Sequence, residues 1–325
     1  MPDLILHHYW TSPFGEKCRA ALGYKNLTWR SCEVGVIPPR PSLEPFLSPF
    51  RRIPVLQIGA DFFCDSRLIL KVIEAIAPEP TIFPKPAEGL CSYVAGWVEP
   101  QLFMSIQALR FRTAEDVDAV SDGKFSAAEF AADRRPFANP ESLREPVALA
   151  ASRADWLHAC FDAIRAQLAA NGAFMTGDSP AAADFSLAHI VWFLRRPPAR
   201  DDLFEGYADI CAWAERVLAH GPGDYEPISF NDARAEVSRS QGEPGLVLPW
   251  SQIEDPRLGR EVVVAPGDYG KSPMRGTLIA STREHVAIER QAAGFGTVRV
   301  HVPRIGHEIV DAAILDEDAP MKRAG

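Results

Sequence analysis

Residues 1–80 set the strongest constraint on the fold, because short apolar runs there alternate with one-sided helical stretches in the manner of a small α/β unit. Residues 4–9 read as a strand, 13–24 as a helix that stops by Asn26, and 28–34 as a second strand. After the Pro38-Pro39-Arg40-Pro41 connection and a short helical piece, 53–58 and 62–64 form two strands around Gly59-Ala60-Asp61, a hairpin turn signal. A helix over 65–77 closes the unit, with Leu68, Ile69, Val72, Ile73 and Ile76 on its buried side.

The rhythm then changes twice. Helical periodicity over 90–111, 146–171, 181–195 and 208–220 predicts an all-α domain spanning 88–222, with an insertion or long loop at about 114–146 rich in acidic, Gly and Pro residues. Beyond Gly221-Pro222-Gly223, β-rich runs such as REVVVAP, RGTLIAST, HVAIERQ and TVRVHVP alternate with Gly, Pro and Asp. For 223–325 the expectation is a linker at 225–249 followed by an additional small β domain, a barrel or sandwich with an independent core.

A chain of 325 residues with 47% hydrophobic and 24% charged side chains has room for two or three domains. Its net charge of −9 argues against nucleic acid as a partner. The start does not resemble a signal peptide, and no apolar stretch approaches the roughly 20 residues of a membrane span, so a soluble, cytoplasmic protein is expected. The six cysteines show no C-x-x-C or metal-ligand spacing and read as reduced thiols, with no metal site. His7 and His8 face opposite sides of a strand, which argues against a shared metal, and His301 and His307 carry no assigned role.

Three places in the first eighty residues point to one ligand. Ser12 lies between strand and helix, where its hydroxyl and the free N–H groups of the helix start favour an anion such as a thiolate. Ile53-Pro54, just before a strand, admits the cis form and can present the Ile53 backbone to an extended peptide. Asp65-Ser66 opens a helix, with a carboxylate for an ammonium group and a hydroxyl plus N–H for a carboxylate. An extended tripeptide with a central thiol and an amino-acid head, namely glutathione, uses all three. Without a cysteine in the turn, the sulfur must come with the ligand.

The motifs Ser12-Pro13-Phe14, RRIPVL at 51–56 and CDSRLIL at 64–70 resemble the amino-terminal, thioredoxin-like domain of the soluble glutathione S-transferases. GDSPAAADFSLAHIVWFL at 177–194 is similar to that family's signature for the core helix of its second domain, and the resemblance covers about 1–222. It implies an α/β plus all-α chain in which Ser12 stabilises the thiolate, Ile53 contacts the cysteinyl backbone, Pro54 is the cis-proline, and Asp65 with Ser66 holds the γ-glutamyl end. Arg52 stands where the family often has a polar donor, and Tyr9 is an alternative thiolate donor. Where the family places Ser or Thr before the signature aspartate, this chain has Ala181 ahead of Asp184; Ser179-Pro180 would compensate by starting the helix two residues earlier.

The resemblance further implies a homodimer, with glutathione as co-substrate transferred to a small apolar electrophile. Trp97, Phe103, Ile106, Phe111, Trp192 and Phe193 form an aromatic-rich set, most of it read as core; the family's first long helix borders the electrophile pocket, so the resemblance implies that one or two of these line it, with Pro100 kinking the helix there. Two other readings remain open: a non-catalytic binding or scaffold protein of the same fold, and a glutathione-dependent isomerase or reductase.

Overall fold

The computed structural model describes residues 2–121, 123–136, 146–268 and 270–317. In chain order the first elements are β1 (Ile5–His8), α1 (Pro13–Tyr24), β2 (Trp29–Glu33), α2 (Glu44–Leu47), β3 (Val55–Ile58), β4 (Asp61–Cys64) and α3 (Ser66–Ile76). Helices α4 (Glu88–Tyr93), α5 (Glu99–Arg110), α6 (Ala114–Ser121), α7 (Ala127–Arg134), α8 (Pro146–Asn171), α9 (Ala182–Arg195) and α10 (Ala208–Leu218) follow. The chain continues through β5 (Tyr225–Pro227), α11 (Phe230–Arg239), β6 (Glu261–Pro266), β7 (Met274–Ser281), β8 (His285–Ala292), β9 (Gly296–Pro303), β10 (His307–Asp311) and α12 (Ala312–Glu317). It divides into two compact units, one of Met1–Ser12, Thr28–Ile76 and Asp224–Gly325, the other of Pro13–Leu27 and Ala77–Gly223.

The first unit is built on one ten-stranded sheet in the order β10-β6-β7-β8-β9-β4-β3-β1-β2-β5. Its β2-β1-β3-β4 portion is thioredoxin-like: β1 runs parallel to β2, antiparallel to β3, and β3 turns back into β4. The two-residue hairpin turn needs a left-handed backbone at Gly59, with φ of 56°, which glycine adopts without penalty.

The β-rich runs after 260 become strands, but the expected independent core does not form. β9 pairs in parallel with β4, and β5 pairs with β2 at the other side, so the C-terminal segment extends the thioredoxin-like sheet at both edges. Val55, Phe62 and Cys64 share one apolar cluster with Val262, Leu278, Val286, Ile288 and Val300. The reason lies in β4. Its sequence Asp-Phe-Phe-Cys is buried at every position, so an unpaired edge there would bury apolar side chains beside orphan backbone groups. The stretch expected as a linker is likewise structured, since it carries β5 and α11, with Ile228 and Ala233 packed on Ile5 and Cys32.

Charge locks the new seam. The buried Asp61 carboxylate accepts from Arg299 Nε at 2.8 Å, Arg299 Nη2 at 2.9 Å and His301 Nε2 at 2.8 Å. Burial alone would raise the Asp61 carboxyl, but these donors bring it down to about 2. Arg290 adds donations to the carbonyls of Phe46 (2.9 Å) and Ser48 (3.0 Å).

The described residues of the second unit are helical apart from turns and connecting loops. Of the insertion expected at 114–146, α6 and α7 are helices, and residues 122 and 137–145 lie outside the described residues. Helix α9 begins at Ala182, not two residues earlier as expected. In place of a cap hydroxyl, the Ala181 carbonyl accepts from the Asp184 N–H at 2.9 Å, while the Asp184 carboxylate accepts from the N–H of Ala181 (3.0 Å) and Met175 (2.9 Å) and from Trp213 Nε1 (2.9 Å). That aspartate satisfies the helix start from the inside.

Between α4 and α5 the chain makes a π-helical turn over Val94–Val98, closed by donation from the Glu99 N–H to the Val94 carbonyl. Pro100 follows directly. Lacking an N–H, it removes one α-helical donor, and the irregularity expected at Pro100 is taken up one turn earlier.

Candidate functional site

The register of the sheet brings the sequence motifs to one end of three neighbouring strands. His7 of β1 pairs with Val55 of β3, and Val55 pairs with Cys64 of β4, so a single row crosses the sheet. Just beyond this row the chain continues from β1 to Ser12, enters β3 from Ile53-Pro54, and leaves β4 into Asp65-Ser66. Strand pairing alone therefore gathers residues far apart in sequence.

Ser12 is only 1% exposed and sits directly before α1, with Pro13 as the first helical residue. Its backbone N–H donates to the Tyr9 carbonyl at 3.0 Å, closing the turn that carries the hydroxyl to the helix start. Tyr9 is half-buried in the same turn. The Ile53–Pro54 peptide is cis, Pro54 is buried, and Ile53 packs against the shared apolar cluster.

Asp65 holds a left-handed backbone at φ of 79°, uncommon for a residue with a side chain. Its carboxylate accepts from the Arg67 N–H at 2.9 Å and takes both arms of the Arg67 guanidinium, at 3.0 and 2.7 Å. Burial would raise the Asp65 carboxyl, yet Arg67, aided by His307 and Arg52, holds it well below the usual carboxylate range. Ser66 is buried at the first position of α3.

Arg52 forms an ion pair with Asp268, which lies between β6 and β7. Sequence reading identified Arg52 but not Asp268 or His307. His307 begins β10, pairs across to Pro266 of β6, and feels the charges of Asp65, Arg52, Arg67 and Asp268. No local motif marks either residue.

Three buried cysteines are poor nucleophiles. Burial pushes the Cys32 and Cys91 thiols up to about 11 and raises Cys64 as well. His7 and His8 are core residues. His7 donates through Nε2 to Gln57 Oε1 at 2.9 Å, with its Nδ1 3.1 Å from Ser42 Oγ, and His8 Nε2 lies 2.9 Å from Ser31 Oγ.

In the second unit the expected aromatic set separates. Phe14, Phe103, Phe193 and Phe111 form a chain of ring contacts at 4.6, 6.0 and 6.0 Å, while Ile106 is buried, Trp97 exposed and Trp192 covered by Arg196. Beside Phe14 lies a buried network that sequence reading missed. Lys17 Nζ donates to both Glu99 oxygens at 2.9 and 2.7 Å, and His189 Nε2 donates to Glu99 Oε1 at 2.7 Å.

A thioredoxin-like sheet with a serine turn, a proline before its third strand and a helix start after its fourth, in a chain that also carries a helical unit, defines the glutathione transferase fold class. Models of the glutathione S-transferase N-terminal and C-terminal domains match residues 6–81 and 147–225. A GST-like protein of known structure from Pseudomonas syringae is 30% identical, with 96% of this chain and 100% of that chain covered and a TM-score of 0.75. The chain belongs to the glutathione S-transferase family.

That coverage requires the C-terminal strands to be matched as well. Two further structures show the fold alone. The β-etherase LigF from Sphingobium sp. strain SYK-6 is 19% identical, covers 67% of this chain and 96% of its own, and gives a TM-score of 0.51. The tau-class transferase MiGSTU from mango, Mangifera indica, is 15% identical, covers 74% and 97%, and gives 0.50. No curated protein sequence matches the chain.

Proposed function

We propose that the protein is a glutathione transferase in which the Ser12 hydroxyl donates to the glutathione thiolate, which then attacks a small apolar electrophile. The observation carrying this reading is the His7–Val55–Cys64 row, beyond which Ser12, Ile53-Pro54 and Asp65-Ser66 all lie. Ser12 takes the sulfur, Ile53 the cysteinyl backbone beside Pro54, and Asp65, Ser66 and Arg52 the γ-glutamyl end. Homodimerisation and a cytoplasmic setting belong to the same reading.

A free thiol titrates near 8.5, so a donor that favours the thiolate multiplies the nucleophile at neutral pH. The conjugation balances simply: the thiol proton leaves to solvent, the sulfur bonds the electrophilic carbon, and a leaving group such as halide departs. Ser12→Ala tests it. Ultraviolet thiolate absorbance of bound glutathione should move to higher pH by about one unit, and turnover of an aryl halide should fall by about tenfold or more. An unchanged titration would transfer the role to Tyr9 or to backbone donors. A product that regenerates glutathione would replace transfer by isomerisation, and oxidised glutathione would replace it by reduction.

A further inference from the structure

His307 is only 8% exposed, and neither ring nitrogen has a hydrogen-bond partner. The other buried histidines of its unit differ. His7 meets Ser42 and Gln57, His8 meets Ser31, His285 meets Thr282, and His301 meets Asp61. Burying an imidazole with both nitrogens unengaged is costly unless something else supplies the partners.

Its surroundings say what that partner is. The charges that act most on the ring include Asp65, Arg52, Arg67 and Asp268, both cations and anions. The turn leading into β10 approaches Arg67 closely: a Cβ added at Gly306 would lie 3.0 Å from Arg67 Nη2. The ring therefore stands beside the start of α3, an eleven-residue helix, among charges suited to a ligand group that is itself both anionic and cationic. Burial lowers its pKa to about 4, which leaves a neutral ring with one N–H donor and one bare acceptor nitrogen.

We propose that His307, supplied by the C-terminal strands, is a further ligand-binding residue whose imidazole bridges the carboxylate and ammonium of an α-amino-acid head, here the γ-glutamyl group of glutathione. The assignment rests on the glutathione reading given above. The ring N–H donates to the carboxylate and the bare nitrogen accepts from the ammonium, a pairing no lysine, arginine or carboxylate can provide. Arg52, paired with the more exposed Asp268, forms the rim of this subsite. The C-terminal extension thereby becomes part of the binding site, reading the end of the ligand away from its sulfur.

The test compares glutathione with cysteinylglycine, which lacks the γ-glutamyl group, by calorimetric titration of the full chain at neutral pH. The wild type should prefer glutathione, and His307→Leu should narrow that preference about tenfold while leaving cysteinylglycine affinity within about twofold. His307→Gln, which keeps a donor and an acceptor, should restore part of it. In isotope-labelled wild-type protein, the His307 ring nitrogens should shift on adding glutathione and stay fixed on adding cysteinylglycine, a readout that needs no variant. Fixed ring nitrogens with glutathione bound, or an unchanged preference in a folded leucine variant, would overturn the assignment of His307 and leave the glutathione reading intact. Absence of glutathione binding by the wild type would overturn both.

Discussion

Asp65 shows how much one residue carries at this site. Its left-handed backbone turns the chain from β4 into α3, and its carboxylate is fixed by its own neighbour Arg67. Asp65→Asn keeps a side chain tolerant of that backbone and an oxygen for the Arg67 N–H, but removes the charge. The fold should persist in a thermal melt, while glutathione affinity falls about ten- to a hundredfold by calorimetry, the range of a hydrogen bond to a charged group. Undiminished affinity would reduce Asp65 to a turn residue. This part of the site was legible because Ser12, Ile53-Pro54 and Asp65-Ser66 announce themselves through turn, proline and helix-start chemistry, all local signals. Asp268 was not legible, since it meets Arg52 across 216 residues of sequence, and His307 sits in a strand whose sequence alone does not distinguish it.

The π-helical turn is the element on which the second unit's buried charge depends, because it sets Glu99 at the start of α5 with Lys17 of α1 and His189 of α9 upon it. Lys17 and Glu99 are 0% and 1% exposed, and burial lowers His189, so the carboxylate is the counter-charge of a desolvated ammonium. Glu99→Gln leaves that ammonium unpaired and should cost about 3–5 kcal/mol in urea unfolding. A loss below about 1 kcal/mol would mean that water reaches Lys17. Helices were legible from periodicity, and the Pro100 irregularity was legible in kind but displaced, since a missing N–H is felt one turn back. The β strands were legible too, but their partnership was not. Only β4 held a hint: Phe62, Phe63 and Cys64 point apolar groups to both faces, the composition of a strand with neighbours on either side.

At the scale of the molecule, four buried histidines govern the response to acid: His189, lowered by burial, and three others, His7, His285 and His307. Burial lowers the last three to about 4, about 3 and about 4, and the Gln57 hydrogen bond only partly offsets it for His7. In the unfolded chain each takes a proton near pH 6.5, so below that value the unfolded state holds more protons and stability falls as pH drops towards 4. Each contributes a slope of up to about 1.4 kcal/mol per pH unit in this window, and none above about pH 7. Asp61, lowered to about 2, adds its loss only below about pH 4. Chemical denaturation between pH 7 and pH 4 checks this, and a flat profile would show that the rings are hydrated in the folded state. The pairing of β4 with β9 also has a meaning in time. Asp61 waits for Arg299, 238 residues later, and at about 5–20 residues per second a ribosome needs roughly ten to fifty seconds to supply it. Throughout that interval the growing polypeptide carries an apolar strand whose mate has not been translated, an open edge that other nascent chains can pair with.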